Sequence, residues 1–216
     1  MARLKDEKRR TPSSRAWLER QISDPYVARA KREGFRSRAA FKLAEIDDRY
    51  KVFRPGVRVV DLGAAPGGWS EIAARRVGAK GCVFALDLLD MKPIAGIEFL
   101  QLDFLDPLAP ERLKTMLGEG AAAKANVVMS DMAANATGHR QTDHLRIMAL
   151  AEAAADFARE VLAPGGTFLC KVLQGGTEAA LLAELKRDFA SVKHVKPPAS
   201  RADSAELYLL AKGFRG

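Results

Sequence analysis

From Val57 onward the chain alternates short, almost wholly apolar runs with longer stretches in which apolar residues recur every three or four positions. The runs are VRVVDLG (57–63), GCVFALDL (81–88), IEFLQLD (97–103), ANVVMSD (125–131), GTFLCKV (166–172), SVKHVKP (191–197) and AELYLLAKG (205–213). Continuously apolar strands separated by helices predict a parallel sheet covered on both faces. The helices carry end signals: WSEIAARRVG stops on Gly78, DHLRIMALAEAAADFAREVLAPGG stops on Pro164 and Gly165, and TEAALLAELKRDF opens on Thr177. No long helix separates the last two runs, so they are expected to pair as a hairpin, with the seventh strand antiparallel to the rest. Upstream, SRAAFKLAEIDDRY puts Ala39, Leu43, Ile46 and Tyr50 on one helix face with Ser37 as its expected cap. Arg38 and Lys42, one turn apart, fall together on another face. The pattern predicts an α/β, Rossmann-like domain over 37–216, its seven-stranded sheet mostly parallel and flanked by helices on both faces. Before it comes an arm, 1–36, with a helix expected near SRAWLERQ and its order set partly by a partner.

Composition narrows the class. Of the 216 residues 48% are hydrophobic and 29% charged, and no apolar run approaches the ~18 residues of a membrane span. The hydrophilic start MARLKDEKRRTPSS contains no signal-peptide core, so a cytoplasmic protein is expected. Cys82 and Cys170 each sit in an apolar run and read as reduced core thiols. His139, His144 and His194 have no paired metal spacing, and GHRQTDH reads as a polar loop entering a helix, so no metal site is expected. Charge changes the picture more. Residues 1–42 hold 13 Lys/Arg against 5 Asp/Glu, the whole of the net +8, while the remaining residues balance. A basic arm of this kind is the electrostatic footprint of a protein that meets phosphate backbones. Arg32, Arg36 and Arg38, with Arg201 farther on, are the expected contacts to such a nucleic-acid backbone.

The ligand is read from the strand ends. In VVDLGAAPGGWSE, Gly63, Gly68 and Ser70 stand where a P-loop requires them, but Trp69 takes the place of its lysine. In a doubly wound sheet ligands sit beyond the carboxyl ends of the strands. Those ends carry Asp61, Asp87, Asp103 and Asp131, and four acids at one edge oppose a phosphate. They suit S-adenosylmethionine, which offers a sulfonium, an ammonium, ribose hydroxyls and an adenine amine. Asp87 is expected on the ribose and Asp103 on the adenine, while Gly63, Gly67 and Gly68 admit the backbone close to the methionine part. Trp69 would supply apolar surface or a donor. At this point a nicotinamide-dependent oxidoreductase stays open.

Four further stretches decide between them: SRAAFKL with Lys42, SDMAANATG with Asp131, LCKVLQG with Lys171, and KPPASRADSAELY with Glu206. With DLGAAPGGWS between them, the chain resembles the FtsJ/RrmJ family of heat-shock ribosomal RNA methyltransferases from about Ser37 to Gly213. The resemblance implies an S-adenosylmethionine-dependent methyltransferase fold in which Lys42, Asp131, Lys171 and Glu206 are catalytic, with Asp131 also at the cofactor. It further implies 2'-O-methylation of a uridine in the A-loop of 23S rRNA, within the assembled large subunit, by an enzyme expected to be a monomer. Lys171 is the expected base. A lysine in that role needs burial or a nearby cation, which Lys42 would supply, while Asp131 and Glu206 orient the amines. Two departures from the family stand out: Ala134 replaces a usual proline, and Asp203 and Ala205 occupy positions that many relatives make basic. A transfer-RNA substrate, or a ribosome-assembly factor whose catalysis is dispensable, are the alternatives.

Overall fold

The computed structural model describes residues 22–134, 137–175 and 179–216. Its elements run α1 (Pro25–Glu33), α2 (Ala39–Tyr50), β1 (Arg58–Leu62), α3 (Gly68–Val77), β2 (Cys82–Asp87), β3 (Ile97–Gln101), α4 (Ala109–Leu117), β4 (Ala125–Ser130), α5 (Arg140–Val161), β5 (Leu162–Leu173), α6 (Ala179–Asp188), β6 (Phe189–Val195) and β7 (Glu206–Phe214). The strands make one sheet in the order β3-β2-β1-β4-β5-β7-β6. β1, β2, β3, β4 and β5 pair in parallel, and β7 lies antiparallel between β5 and β6. Strand order reverses at β1, whose neighbours are β2 and β4, and the crevice outside that point is where such sheets bind ligands.

Side-chain alternation divides the core into two layers. Val60, Leu62, Val128, Phe168 and Leu209 face α4, α5 and α6, packing with Leu113, Phe157, Leu181 and Leu185. Val59, Val127, Met129, Leu169 and Tyr208 face α2 and α3, packing with Leu43, Ile46, Trp69 and Ile72. Burying both faces is what makes the strands read as unbroken apolar runs.

The local differences from the sequence reading have physical causes. Ser37 does not cap α2: Arg38 occupies the cap position without a side-chain bond, and the Ser37 hydroxyl, buried, has no hydrogen-bond partner. It is pressed instead against Gly68, where an added Cβ would stand 2.2 Å from Ser37 Oγ. α5 ends at Val161, before Pro164 and Gly165: Leu162 is already extended (ψ 140°), and Ala163, the residue preceding the proline, resists helical backbone. α4 is not singled out by the apolar pattern, although Pro110 in its first turn and Gly118 after its last residue are ordinary end signals. Thr177 and the SRAWLERQ stretch lie outside the described residues. Within the expected arm, Pro25–Glu33 form a helix packed on the domain. Asp24 caps it, and the Tyr26 ring lies 5.5 Å from Phe41. Of the two thiols, Cys170 is fully buried, which pushes it up to about 12, whereas Cys82 is only half-buried beside Glu98.

Candidate active site

A cleft of about 480 Å³ opens at the carboxyl ends of β1, β2 and β4, lined among others by Gly63, Asp87, Asp103, Phe104, Asp131 and Met132. Four of the expected cofactor residues (Gly63, Asp87, Asp103 and Asp131) therefore meet in one place. Asp87 sits on the last pleat of β2, where its Oδ2 accepts from the Ala65 N–H (2.8 Å) and its Oδ1 from the Leu89 N–H (2.8 Å). These bonds hold the carboxylate at the mouth, and each oxygen retains a lone pair for a hydroxyl donor. Asp103 accepts from the Leu105 N–H (3.0 Å). Leu88, Leu89 and Leu105, all exposed, offer flat apolar surface beside these acids. Carboxylates next to apolar surface fit an adenosine carrying a cation far better than a phosphate.

Behind the cleft the register assembles the second half of the site. Ser130 pairs with Cys170, so Asp131 emerges beside Lys171, and Lys171 pairs directly with Tyr208, two residues after Glu206. Period-two alternation puts Lys171, Tyr208 and Glu206 on the α2 side of the sheet, where Lys42 reaches them from its helix. A continuous chain of contacts results. Lys171 Nζ donates to the Asp131 carbonyl (2.7 Å) and pairs with Asp131 Oδ1 (3.2 Å). Tyr208 donates its phenolic proton to Asp131 Oδ1 (3.1 Å) and accepts from Lys42 Nζ (3.2 Å), which pairs with Glu206 Oε2 (2.9 Å). Lys42 and Lys171 are each 6% exposed and Tyr208 is fully buried. Burial, reinforced by the Asp131 and Glu206 charges, raises the Tyr208 phenol well above its ordinary range and keeps it a proton donor. All four expected catalytic residues come together, and Tyr208 joins them. Sequence reasoning missed it, although its place two residues after Glu206 on a strand was the available signal.

Other expected contacts go elsewhere. Gly67, Gly68 and Trp69 do not line the cleft. The glycines answer protein neighbours: Gly67 has φ 107°, and an added Cβ would meet Ile94 and Met91 at 2.8 and 2.9 Å. Gly63, at φ 79°, lies within 2.9 Å of the Met132 backbone by the same measure. Trp69 is buried; its indole N–H donates to the Ala39 carbonyl (3.0 Å) and its ring packs 5.5 Å from Tyr208. It packs behind Tyr208. Of the expected RNA contacts, only Arg32 projects freely, with a long 3.8 Å contact to Glu33. Arg36 donates to the carbonyls of Lys92 (2.7 Å) and Pro93 (2.8 Å), while Arg38 and Arg201 both pair with Asp24.

Asp61 was noted in the sequence only as a strand-end acid, yet it is the most perturbed carboxyl here. It is wholly buried, takes a hydrogen bond from the Ser70 hydroxyl through Oδ2, and leaves Oδ1 with no partner. Burial, with the Asp131 and Asp87 charges, pushes it up to about 7 against the opposing Ser70 bond. An orphaned acid behind the cleft is a further fit to a cationic cofactor.

Two outcomes follow from these positions. Because the folded protein holds the Asp61 proton up to about pH 7 while the unfolded chain releases it near pH 4, stability falls as pH rises through this window. The loss reaches about 4 kcal/mol. Asp61→Asn removes that loss, so in cofactor-free melts the variant gains on the native protein between pH 4 and pH 8; a pH-independent difference contradicts the assignment. Trp69→Phe removes the second hydrogen bond to the Ala39 carbonyl and costs roughly 0.5–1.5 kcal/mol of stability, with the cofactor Kd unchanged by calorimetry. A large loss of cofactor affinity would instead place Trp69 at the cofactor.

Comparison with known proteins agrees with this geometry. The family model described as FtsJ-like methyltransferase matches residues 35–214. The chain is 64% identical over 217 residues to "Ribosomal RNA large subunit methyltransferase E" of Azorhizobium caulinodans, covering 99% of this chain and 89% of that protein. It is 66% identical over 207 residues to the protein of the same name from Rhodopseudomonas palustris, covering 94% and 86%. Among solved structures, a Plasmodium falciparum chain assigned as a ribosomal RNA methyltransferase superposes with a TM-score of 0.75 at 28% identity, covering 84% of this chain and all of that one. The protein's cofactor is accordingly S-adenosylmethionine, and the chain belongs to the FtsJ-like methyltransferase family.

Proposed function

We propose that the protein methylates a ribose 2'-hydroxyl of RNA, the substrate being a uridine in the A-loop of 23S rRNA within the assembled large ribosomal subunit. The reading is carried by the buried Lys171–Asp131–Tyr208–Lys42–Glu206 chain at the edge of the cofactor cleft. Two lysines balanced by two carboxylates make a cluster of zero formal charge that can gain or lose a proton internally, which suits a hydroxyl nucleophile. The names of the relatives direct the chemistry to large-subunit RNA.

S-adenosylmethionine, when bound, supplies a methyl carbon on a sulfonium whose charge is lost as the new O–C bond forms. Asp87 and Asp103 are the acceptors for its ribose and adenine, and the apolar Leu88 and Leu105 flank them. Lys171, in its amine form, takes the 2'-hydroxyl proton while Asp131 fixes its direction from both the carbonyl and the carboxylate. Tyr208 holds Asp131 and Lys42 in one arrangement. Lys42, restrained by Glu206, is the second cation of the cluster. Positioning carries much of the rate, because the reacting charges cancel in the transition state. Arg32 and Lys31 on the outer face of α1, with the basic residues before it, supply sequence-independent affinity for phosphates. The protein works as a cytoplasmic monomer on a preformed RNA surface.

The test offers labelled cofactor with undermethylated large subunits, free 23S rRNA or tRNA. Methyl transfer to the subunits, and not to tRNA, is expected. Lys171→Met lowers kcat about 10²- to 10⁴-fold with cofactor Kd unchanged. Preferred transfer to tRNA would move the substrate, and full activity of Lys171→Met would remove that residue from its role.

A further inference from the structure

We propose that Asp24 is a positioning residue for the catalytic Lys42–Glu206 pair, clamping the loop between β6 and β7 onto α2 through Arg38 and Arg201. That loop ends on Glu206, whose N–H donates to Ser204 Oγ (3.2 Å). It is fastened to α2 at Ala199, which donates its N–H to Glu45 Oε2 (2.7 Å) and accepts from Arg38 Nη2 at its carbonyl. Asp24 closes the remaining side. Its Oδ2 faces Arg38 Nε at 3.1 Å and Arg201 Nη2 at 3.0 Å, while its Oδ1 caps α1 by accepting the Tyr26 N–H. The residue is 7% exposed, and fully buried Ala199 packs beside it with Phe41 and Ala30.

One carboxylate thus joins α1, α2 and the loop. Arg38 stands one helical turn before Lys42 on α2, and Arg201 shortly precedes Glu206 in the chain. The amine and carboxylate that meet at 2.9 Å in the site are therefore carried by the two segments that Asp24 bridges. A crevice of about 400 Å³, lined by Asp24, Tyr26, Arg38, Ser200 and Arg201, lies along this junction and gives the loop room to move once released. Asparagine at position 24 would retain the cap but remove the charge. Two guanidiniums would then face each other uncompensated, and their repulsion acts directly on the loop. Asp24 and α1 lie before the segment the family model matches, residues 35–214, whereas Arg38 and Arg201 lie within it.

The test uses the full chain with Asp24→Asn and Arg201→Gln, separately and combined. Backbone amide exchange, followed by mass spectrometry, is expected to rise about tenfold or more over residues 199–206 in Asp24→Asn, with β1 and β4 unchanged. At saturating RNA and cofactor, kcat falls about ten- to a hundredfold while the cofactor Kd stays within about twofold. The double variant is no slower than Asp24→Asn alone. Unchanged exchange over 199–206 overturns the proposal whatever the assay shows, and so does raised exchange with kcat retained. Only the kinetic part rests on the proposed function. Raised exchange in a protein whose native form methylates no RNA supports the clamp and places the failure with the substrate reading.

Discussion

Two lysine side chains buried at the carboxyl edge of one sheet constrain everything around them. An ammonium removed from water costs several kcal/mol unless it is paired and hydrogen-bonded. Lys171 cannot leave, because it is a strand residue paired with Tyr208 in the middle of the sheet, and Lys42 enters from a helix packed over the same face. The surroundings meet that constraint with Asp131, Glu206 and a neutral phenol between them. The same arrangement sets two amines and Glu206 behind Asp131, which lines the cleft, so the partners that burial requires stand next to the cleft.

The cofactor side follows a parallel logic. The turn Gly63–Trp69 looks like a ligand-approach loop, but most of its close contacts are with the protein itself: Met132 at Gly63, Met91 and Ile94 at Gly67, Ser37 at Gly68, and Ala39 and Tyr208 at Trp69. Packing at the turn thereby sets the spacing between the cleft and the catalytic chain. The acids at the neighbouring strand ends decide what the cleft accepts. Asp61, sealed behind them with one oxygen unsatisfied, adds negative potential that only a cation or a proton can relieve.

Strand periodicity made the sheet legible, since every expected run contains a strand and the absence of a helix before the last run marked its reversed direction. Lys42, Asp131, Lys171 and Glu206 were legible as a set only through the resemblance of the stretches that carry them to the family, since Lys42 sits mid-helix and Lys171 inside a strand. Tyr208 was not, because a tyrosine in an apolar strand reads as core until the register sets it opposite Lys171. Trp69 was read from its position in the turn as a ligand contact, and its indole turns inward to bond the Ala39 carbonyl. The arginines show the limit of charge counting. Arg36, Arg38 and Arg201 belong to the basic character of the chain, yet carbonyls and one buried carboxylate, Asp24, hold them in place. Such pairings between residues far apart in sequence leave no local pattern to read.

If the buried lysine–carboxylate chain activates an oxygen nucleophile, the chemical identity of the product reveals it. Large-subunit RNA methylated by the purified protein, digested to nucleosides and resolved by mass spectrometry, should carry the new methyl on ribose as 2'-O-methyluridine. A methyl group recovered on the base would contradict the account.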